Sequence, residues 1–318
     1  MTETEWWDLW RRDPRATPFQ CPAWLGPWWT HLGGRGERLD LVARDGGGRS
    51  IGFLPAWIWD DGGLRRLVPL GAGVSDYLDA LIDPGREAEA LAGLWRAALD
   101  ASDRWDELLL PDLRPDSPLL QPPPEALHAR DEAHETCPVL ALPADGPVLA
   151  ALSKSRRRKI VHDHHRAERL GEVETGFPPP EELPAVLDAL FALHAARWEA
   201  AGEPGVLADP AVQAFHREAA PALQAAGLLR LTTVRWRGDV RAVLLGFCDG
   251  RRGYSYINGV DREPAGQSFG TLAFAHQIDA AQEGGAREFH FLRGEEPYKY
   301  AWGAEPLRTV RRVVRRRG

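Results

Sequence analysis

The sequence predicts an α/β protein with two domains in tandem, each built on a mixed, mainly antiparallel sheet. Two observations point there. Segments with strand and helix periodicity alternate along all 318 residues, and the order of elements in one half returns in the other. A Pro-rich stretch, 111–124, closes the first half, and the reading places the domains at 1–145 and 146–318.

Taken in order, Trp6, Trp7, Trp10, Trp24, Trp28 and Trp29 suit an N-terminal helical pair that packs its rings on the first domain. Residues 39–44 and 50–59 read as two strands around the turn 45–48, and 64–70 as a third. Leu91, Leu94, Trp95, Ala98 and Leu99 repeat at helical spacing and predict a helix over 87–101, followed by a strand at 106–110. In the second half, 154–169, 181–201 and 210–226 read as helices. Residues 229–236 and 240–248 form a hairpin about 237–239, 253–260 a third strand, 271–281 a helix and 288–292 a strand. The segments LWRAALDASDRWDELLL and FAHQIDAAQEGGAREFHFL share a helix, a short break and a strand, which a duplicated αβ unit explains.

Composition excludes several function classes. With 44% hydrophobic residues the chain has material for proper cores, and no run of apolar residues reaches membrane-span length. Residues 1–12 lack the basic start and apolar run of a secretory signal. Cys21, Cys137 and Cys248 are isolated and odd in number, so neither a disulfide framework nor a thiolate metal site follows, and a reducing cytoplasm is expected. The net charge of −7 disfavours a general nucleic-acid binder. Against that acidic background stand two basic runs, 153–169 and 308–317. His162, His164 and His165 have no partner cluster at ligand spacing, and no metal is expected. No GxSxG elbow is present, which removes a standard hydrolase.

Three meander strands, a loop, a helix and a strand are the core order of the GNAT acyltransferase fold. SKSRRRKI at 153–160, FALHAARW at 191–198 and FLRGEEPYKYAWG at 291–303 resemble the CelD/BcsL-type acetyltransferases, a branch of the FemAB-like tandem GNAT superfamily. FQCPAWLGPWW and LGAGVSDYLD also fit, so the resemblance spans nearly the whole chain. It implies two tandem GNAT-like domains, the first shaping an acceptor pocket and the second binding acetyl-CoA or another acyl-CoA as donor. The acyl group would pass to an amine or hydroxyl of a small-molecule or cell-envelope saccharide acceptor. Two other classes compete: a FemAB-like transferase using aminoacyl-tRNA, and a non-catalytic module that binds nucleotide-linked sugars.

The candidate site residues follow from local chemistry. The loop before the helix near Thr271 offers glycines and a helix N-terminus for a pyrophosphate, with Arg262, Gly266, Gln267, Ser268, Gly270 and Thr271 as donor-binding residues. After the strand ending at Leu292, Glu295 suits a proton acceptor, and Tyr298 or Lys299 a donor to developing negative charge. Lys299 is one of only three lysines, with Lys154 and Lys159, in a chain that otherwise uses arginine. The density of Lys154, Arg156, Arg157, Arg158 and Lys159 suits an anionic acceptor. Arg197 with the adjacent Trp198, and Asp76 with Tyr77, complete the expected substrate contacts.

Overall fold

The computed structural model describes residues 1–34, 36–200, 202–261 and 268–317. It divides into two compact units, Met1–Thr136 with Arg308–Gly318, and Cys137–Leu307. The end of the chain therefore returns to the first unit, where the sequence reading runs the second domain to residue 318.

The first unit opens with helices α1 (Glu3–Arg12) and α2 (Pro22–Leu32). Thr2 and Glu5 form a reciprocal capping box at the start of α1, the Glu5 N–H donating to Thr2 Oγ1 at 3.2 Å and the Thr2 N–H to Glu5 Oε2 at 2.8 Å. Trp6, Trp24 and Trp28 are buried, as expected of a helical pair that docks by its rings. The strands are β1 (Glu37–Arg38), β2 (Leu41–Arg44), β3 (Ser50–Leu54), β4 (Ala56–Asp61), β5 (Leu64–Pro69) and β6 (Leu81–Ile82). Helix α3 (Glu87–Asp100) and strand β7 (Glu107–Leu113) follow. The segment read as one strand at 50–59 is two. Pro55 has no N–H to give a ladder, and at that point the chain leaves the small sheet β2-β3-β6 for the larger one containing β1, β4, β5 and β7. Helix α3 lies close on β2, where a Cβ at Gly93 would meet that of Ala43 at 2.6 Å.

Two long strands escape the sequence reading: β8 (Leu127–Ala141) and the last strand of the chain, Glu305–Arg316. The latter pairs antiparallel with β7, and Arg311, Arg312 and Arg315 are matched by acids. The Arg312 guanidinium is 4% exposed and uses all five N–H groups, on Asp131 and on the carbonyls of Leu119, Leu120 and Gln121 at 2.6–2.9 Å.

The second unit contains α4 (Val148–Ala151), α5 (Lys154–Leu170), β9 (Val173–Gly176), α6 (Leu183–Glu199) and α7 (Pro210–Ala225). Next come β10 (Leu229–Trp236), β11 (Asp239–Cys248), β12 (Arg252–Val260), α8 (Phe269–Glu283), β13 (Glu288–His290) and α9 (Pro297–Ala301); the final strand already described is β14, which from Arg308 onward belongs to the first unit. The neighbour order is β13-β12-β11-β10-β9, parallel only between β12 and β13, and β13 pairs antiparallel with the end of β8. Helix α8 packs on β10, β11 and β12 through Phe269, Ala273 and Ile278. Helix α6 covers β11 and β12.

Two local departures matter for the site. In β12 the register with β11 slips between Leu245 and Gly246, which makes Tyr256 the extra residue of a bulge. A Cβ at Gly253 would meet Ala281 of α8, whereas six residues on, at Gly259, it would meet Leu193 of α6. The bulge thus inverts the alternation and puts Asn258 and Val260 on the α8 side. The strand expected over 288–292 stops at His290, because Leu292 adopts φ +56° and turns the backbone out of the ladder.

Candidate active site

A cleft of 450 Å³ opens in the second unit. Its floor comes from the end of the bulged strand, Asn258 and Val260, with Asp261 just beyond. The start of α8 contributes Ser268, Gly270, Thr271 and Phe274. Arg156 and Lys159 face it from α5, Arg197 from α6, and Tyr298 and Trp302 from α9 and the residue after it.

Each polar group is held by a specific contact. Arg156 lies over the Trp302 ring at 4.1 Å, and its buried Nε has no hydrogen-bond partner among the described residues. Burial lowers the Arg156 pKa, with Asp163 pulling the other way, and a guanidinium remains charged. Lys159 Nζ donates to Asp163 at 3.0 Å and reaches Ser268 Oγ at 3.5 Å. The Ser268 side chain does not cap α8, so the helix N-terminus is not closed by its own serine. An added Cβ at Gly270 would come within 3.3 Å of Val260, which makes the glycine part of the cleft's shape. Arg197 Nη1 donates to Asn258 Oδ1 at 3.2 Å.

Tyr298 sits between Phe274 at 5.3 Å and Phe291 at 6.5 Å and lines the cleft beside Asn258. Burial, reinforced by the Glu296 carboxylate, raises the phenol pKa above the ordinary tyrosine value despite Arg197 and Asn258. The result is a neutral O–H donor at the cleft wall. Behind it, burial pushes His194 down to about 4 and His216 to about 3. Both are neutral near pH 7, and the Trp198 indole donates to His194 Nε2 at 2.9 Å.

The structure brings together part of the expected set. Ser268, Gly270, Thr271, Arg156, Arg197 and Tyr298 line the cleft. Arg262, Gly266 and Gln267 lie outside the described residues. Lys154 and Arg158 are exposed and Arg157 half-buried, all three away from the cleft lining because they fall on other faces of α5. Trp198 turns toward His194 instead. Glu295 is exposed, with the Tyr300 hydroxyl at 3.4 Å. Lys299 is buried and does not line the cleft. Asp76 and Tyr77 are buried in the first unit, with Arg114 over the Tyr77 ring at 5.8 Å.

Asn258, Asp261, Phe274 and Trp302 escaped the sequence reading. A polar Asn258 at the end of an apolar strand was a usable signal for the first. The bulge that aims it was not.

Residues 154–300 match the Acetyltransferase (GNAT) domain family. A search of curated proteins finds no match. Among solved structures, FemX superposes with a TM-score of 0.70 at 12% identity, covering 98% of this chain and 96% of that one. The C-terminal domain of a putative lysylphosphatidylglycerol synthetase from Agrobacterium fabrum gives 0.61 at 11%, covering 99% and 92%. A tandem GNAT protein from the clavulanic acid biosynthesis pathway gives 0.51 at 19%, covering 100% and 95%. Such likeness speaks to the fold, which is that of two tandem GNAT-like domains with mixed, mainly antiparallel sheets.

Proposed function

We propose that this protein transfers an acyl group from a coenzyme A thioester to an amine or hydroxyl of a small-molecule or saccharide acceptor, in the manner of the CelD/BcsL-type acetyltransferases it resembles. The observation that carries the reading is the pairing, in one cleft, of anion-binding groups with a neutral phenol. Arg156 and Lys159 stand with the N-terminus of α8, which its own Ser268 side chain does not cap, a combination suited to phosphate oxygens. The Nε of Arg156, without a partner among the described residues, and the missing Cβ at Gly270 fit a phosphate-bearing donor laid against that helix.

In this reading the acceptor nitrogen or oxygen attacks the thioester carbonyl, and the carbon–sulfur bond breaks as the tetrahedral intermediate collapses. Tyr298 donates its proton to the departing thiolate, and the raised phenol pKa keeps that proton in place at neutral pH. Asp261 is the carboxylate lining the cleft among the described residues and takes the acceptor's proton. Arg241 holds it by donating to Oδ2 at 2.8 Å.

The FemAB-like resemblance keeps an aminoacyl-tRNA donor as the competing reading. Thermal shift with acetyl-CoA, longer acyl-CoAs and aminoacyl-tRNA separates the two, because a ligand that binds the folded state raises the melting temperature. Thiol release in the presence of an amine panel then reads turnover. A melting temperature raised by aminoacyl-tRNA and unmoved by every acyl-CoA would sink the proposal.

A further inference from the structure

We propose that Lys299 is a positioning residue: its buried ammonium fills a cradle of three consecutive backbone carbonyls and thereby fixes the short helix α9 that presents Tyr298 to the cleft. The inference rests on the acyl-transfer reading, in which Tyr298 supplies the proton. Lys299 is 3% exposed. Its Nζ donates to the carbonyl oxygens of Leu292 at 3.1 Å, Arg293 at 2.6 Å and Gly294 at 3.2 Å, and pairs with Glu296 Oε2 at 2.9 Å.

Successive carbonyls in extended backbone point to opposite sides and cannot converge on one atom. Here they do, because Leu292 adopts φ +56° and Gly294 φ +107°. Positive φ is uncommon for leucine, so the loop needs something to hold it. Four acceptors surround the nitrogen, and only the ammonium form, with three N–H groups, serves such a set; a neutral amine would aim a lone pair at the carbonyls. Without the cation, buried carbonyl oxygens would face one another without a donor.

The consequence reaches the cleft through the chain. Helix α9 has five residues, too few to persist alone. The Lys299 side chain ties it to the preceding loop through the bonds to the 292–294 carbonyls, while the backbone of the same residue joins the helix, its N–H donating to the Glu296 carbonyl at 3.0 Å and its carbonyl accepting from the Trp302 N–H at 3.1 Å. Tyr298 precedes the plug and Trp302, the floor beneath Arg156, follows it. An arginine could not replace it, since a planar fork does not match three oxygens converging on a point. That agrees with the use of lysine here in a chain of 39 Lys and Arg residues that is otherwise almost wholly arginine.

The test labels the ζ carbons of the five tyrosines with carbon-13 and assigns Tyr298 by its loss in Tyr298→Phe. In Lys299→Met the Tyr298 resonance is expected to move toward the solvent-exposed value. The rate kcat should fall about a hundredfold, as for a donor misplaced by ~1 Å, with the acyl-CoA KM within about twofold of wild type. The alkaline limb of the kcat profile should shift to lower pH, and Lys299→Arg should not restore any of these. A folded Lys299→Met protein with an unmoved Tyr298 resonance overturns the proposal. If kcat is lost in that case, the lysine acts on the reacting groups directly; if kcat is kept, it has no role in the reaction. Should Lys299→Met not fold, Lys299→Gln, which retains two N–H donors for the cradle, is read in the same way. The resonance reports on Lys299 even if wild-type protein turns over no acyl-CoA, a result that would instead remove the functional reading.

Discussion

The two basic runs of this acidic chain, α5 and the C-terminal strand β14, look alike in composition and differ in every structural respect. In β14 the cations are spent internally. Arg312 donates all five N–H groups to Asp131 and three carbonyls, Arg315 grips the buried Glu107 at 2.8–3.0 Å, and Arg311 reaches Glu132 at 3.4 Å. In α5, the buried Nε of Arg156 has no partner among the described residues and lies over an open cleft, and Lys159 reaches toward the first turn of α8. Cation density alone therefore does not mark an anion site. What separates the runs is whether acids and carbonyls are supplied around each cation by the rest of the fold.

Mutations at the two runs should divide in the same way. The largest expected effect is on stability, at Arg312. Arg312→Met leaves the Asp131 carboxylate and three carbonyls without their donor and should lower unfolding stability by about 3–5 kcal/mol in chemical denaturation. Catalytic constants of the folded fraction should stay at wild-type values; a variant as stable as wild type would break the comparison. At the cleft, Tyr298→Phe should lower kcat about a hundredfold or more, with a melting temperature close to wild type. Loss of fold without a selective rate defect would assign the phenol to packing.

Smaller effects sharpen the contrast within α5. Arg156→Gln should weaken coenzyme A binding about tenfold in calorimetric titration, the value of one hydrogen bond to a charged group. The double change Arg157→Gln and Arg158→Gln should leave it within about twofold, since neither side chain lines the cleft. Equal losses from both would mean that the run acts as a diffuse field.

The smallest expected effect is the acid response of β14. Burial pushes the Glu107 carboxyl up, but hydrogen bonds from Arg315 and Arg66 outweigh it and hold the group below its ordinary 4.5. A carboxylate depressed in the folded state contributes its full stability above the unfolded value and loses it as pH falls through the folded one. Arg315→Gln should therefore flatten the fall in urea midpoint below about pH 4.5, with little change in slope near neutrality. An unaltered acid limb would show that Arg66 alone sustains the shift.

By itself the sequence determined the elements whose residues repeat at their own period: α3, α5 and α8, the hairpin β10–β11, and the recurrence of one αβ order in both halves. It also pointed to the segment 291–303 and to the start of α8, where glycine and serine precede an apolar helix. Tertiary structure alone decided the rest. Strands β8 and β14 carry charges on both faces, so no alternation announced them, and their partners are remote: Arg312 and Asp131 stand 181 positions apart. The Tyr256 bulge inverts which face Asn258 occupies, a one-residue shift invisible to any periodicity. Lys299 drew attention by its rarity, but the direction of its ammonium, away from the cleft, depends on backbone angles at Leu292 and Gly294. Periodicity encodes which face of an element is buried, because that follows from neighbours along the chain. Which acid or carbonyl a cation meets depends on long-range packing, and only the folded coordinates supply it.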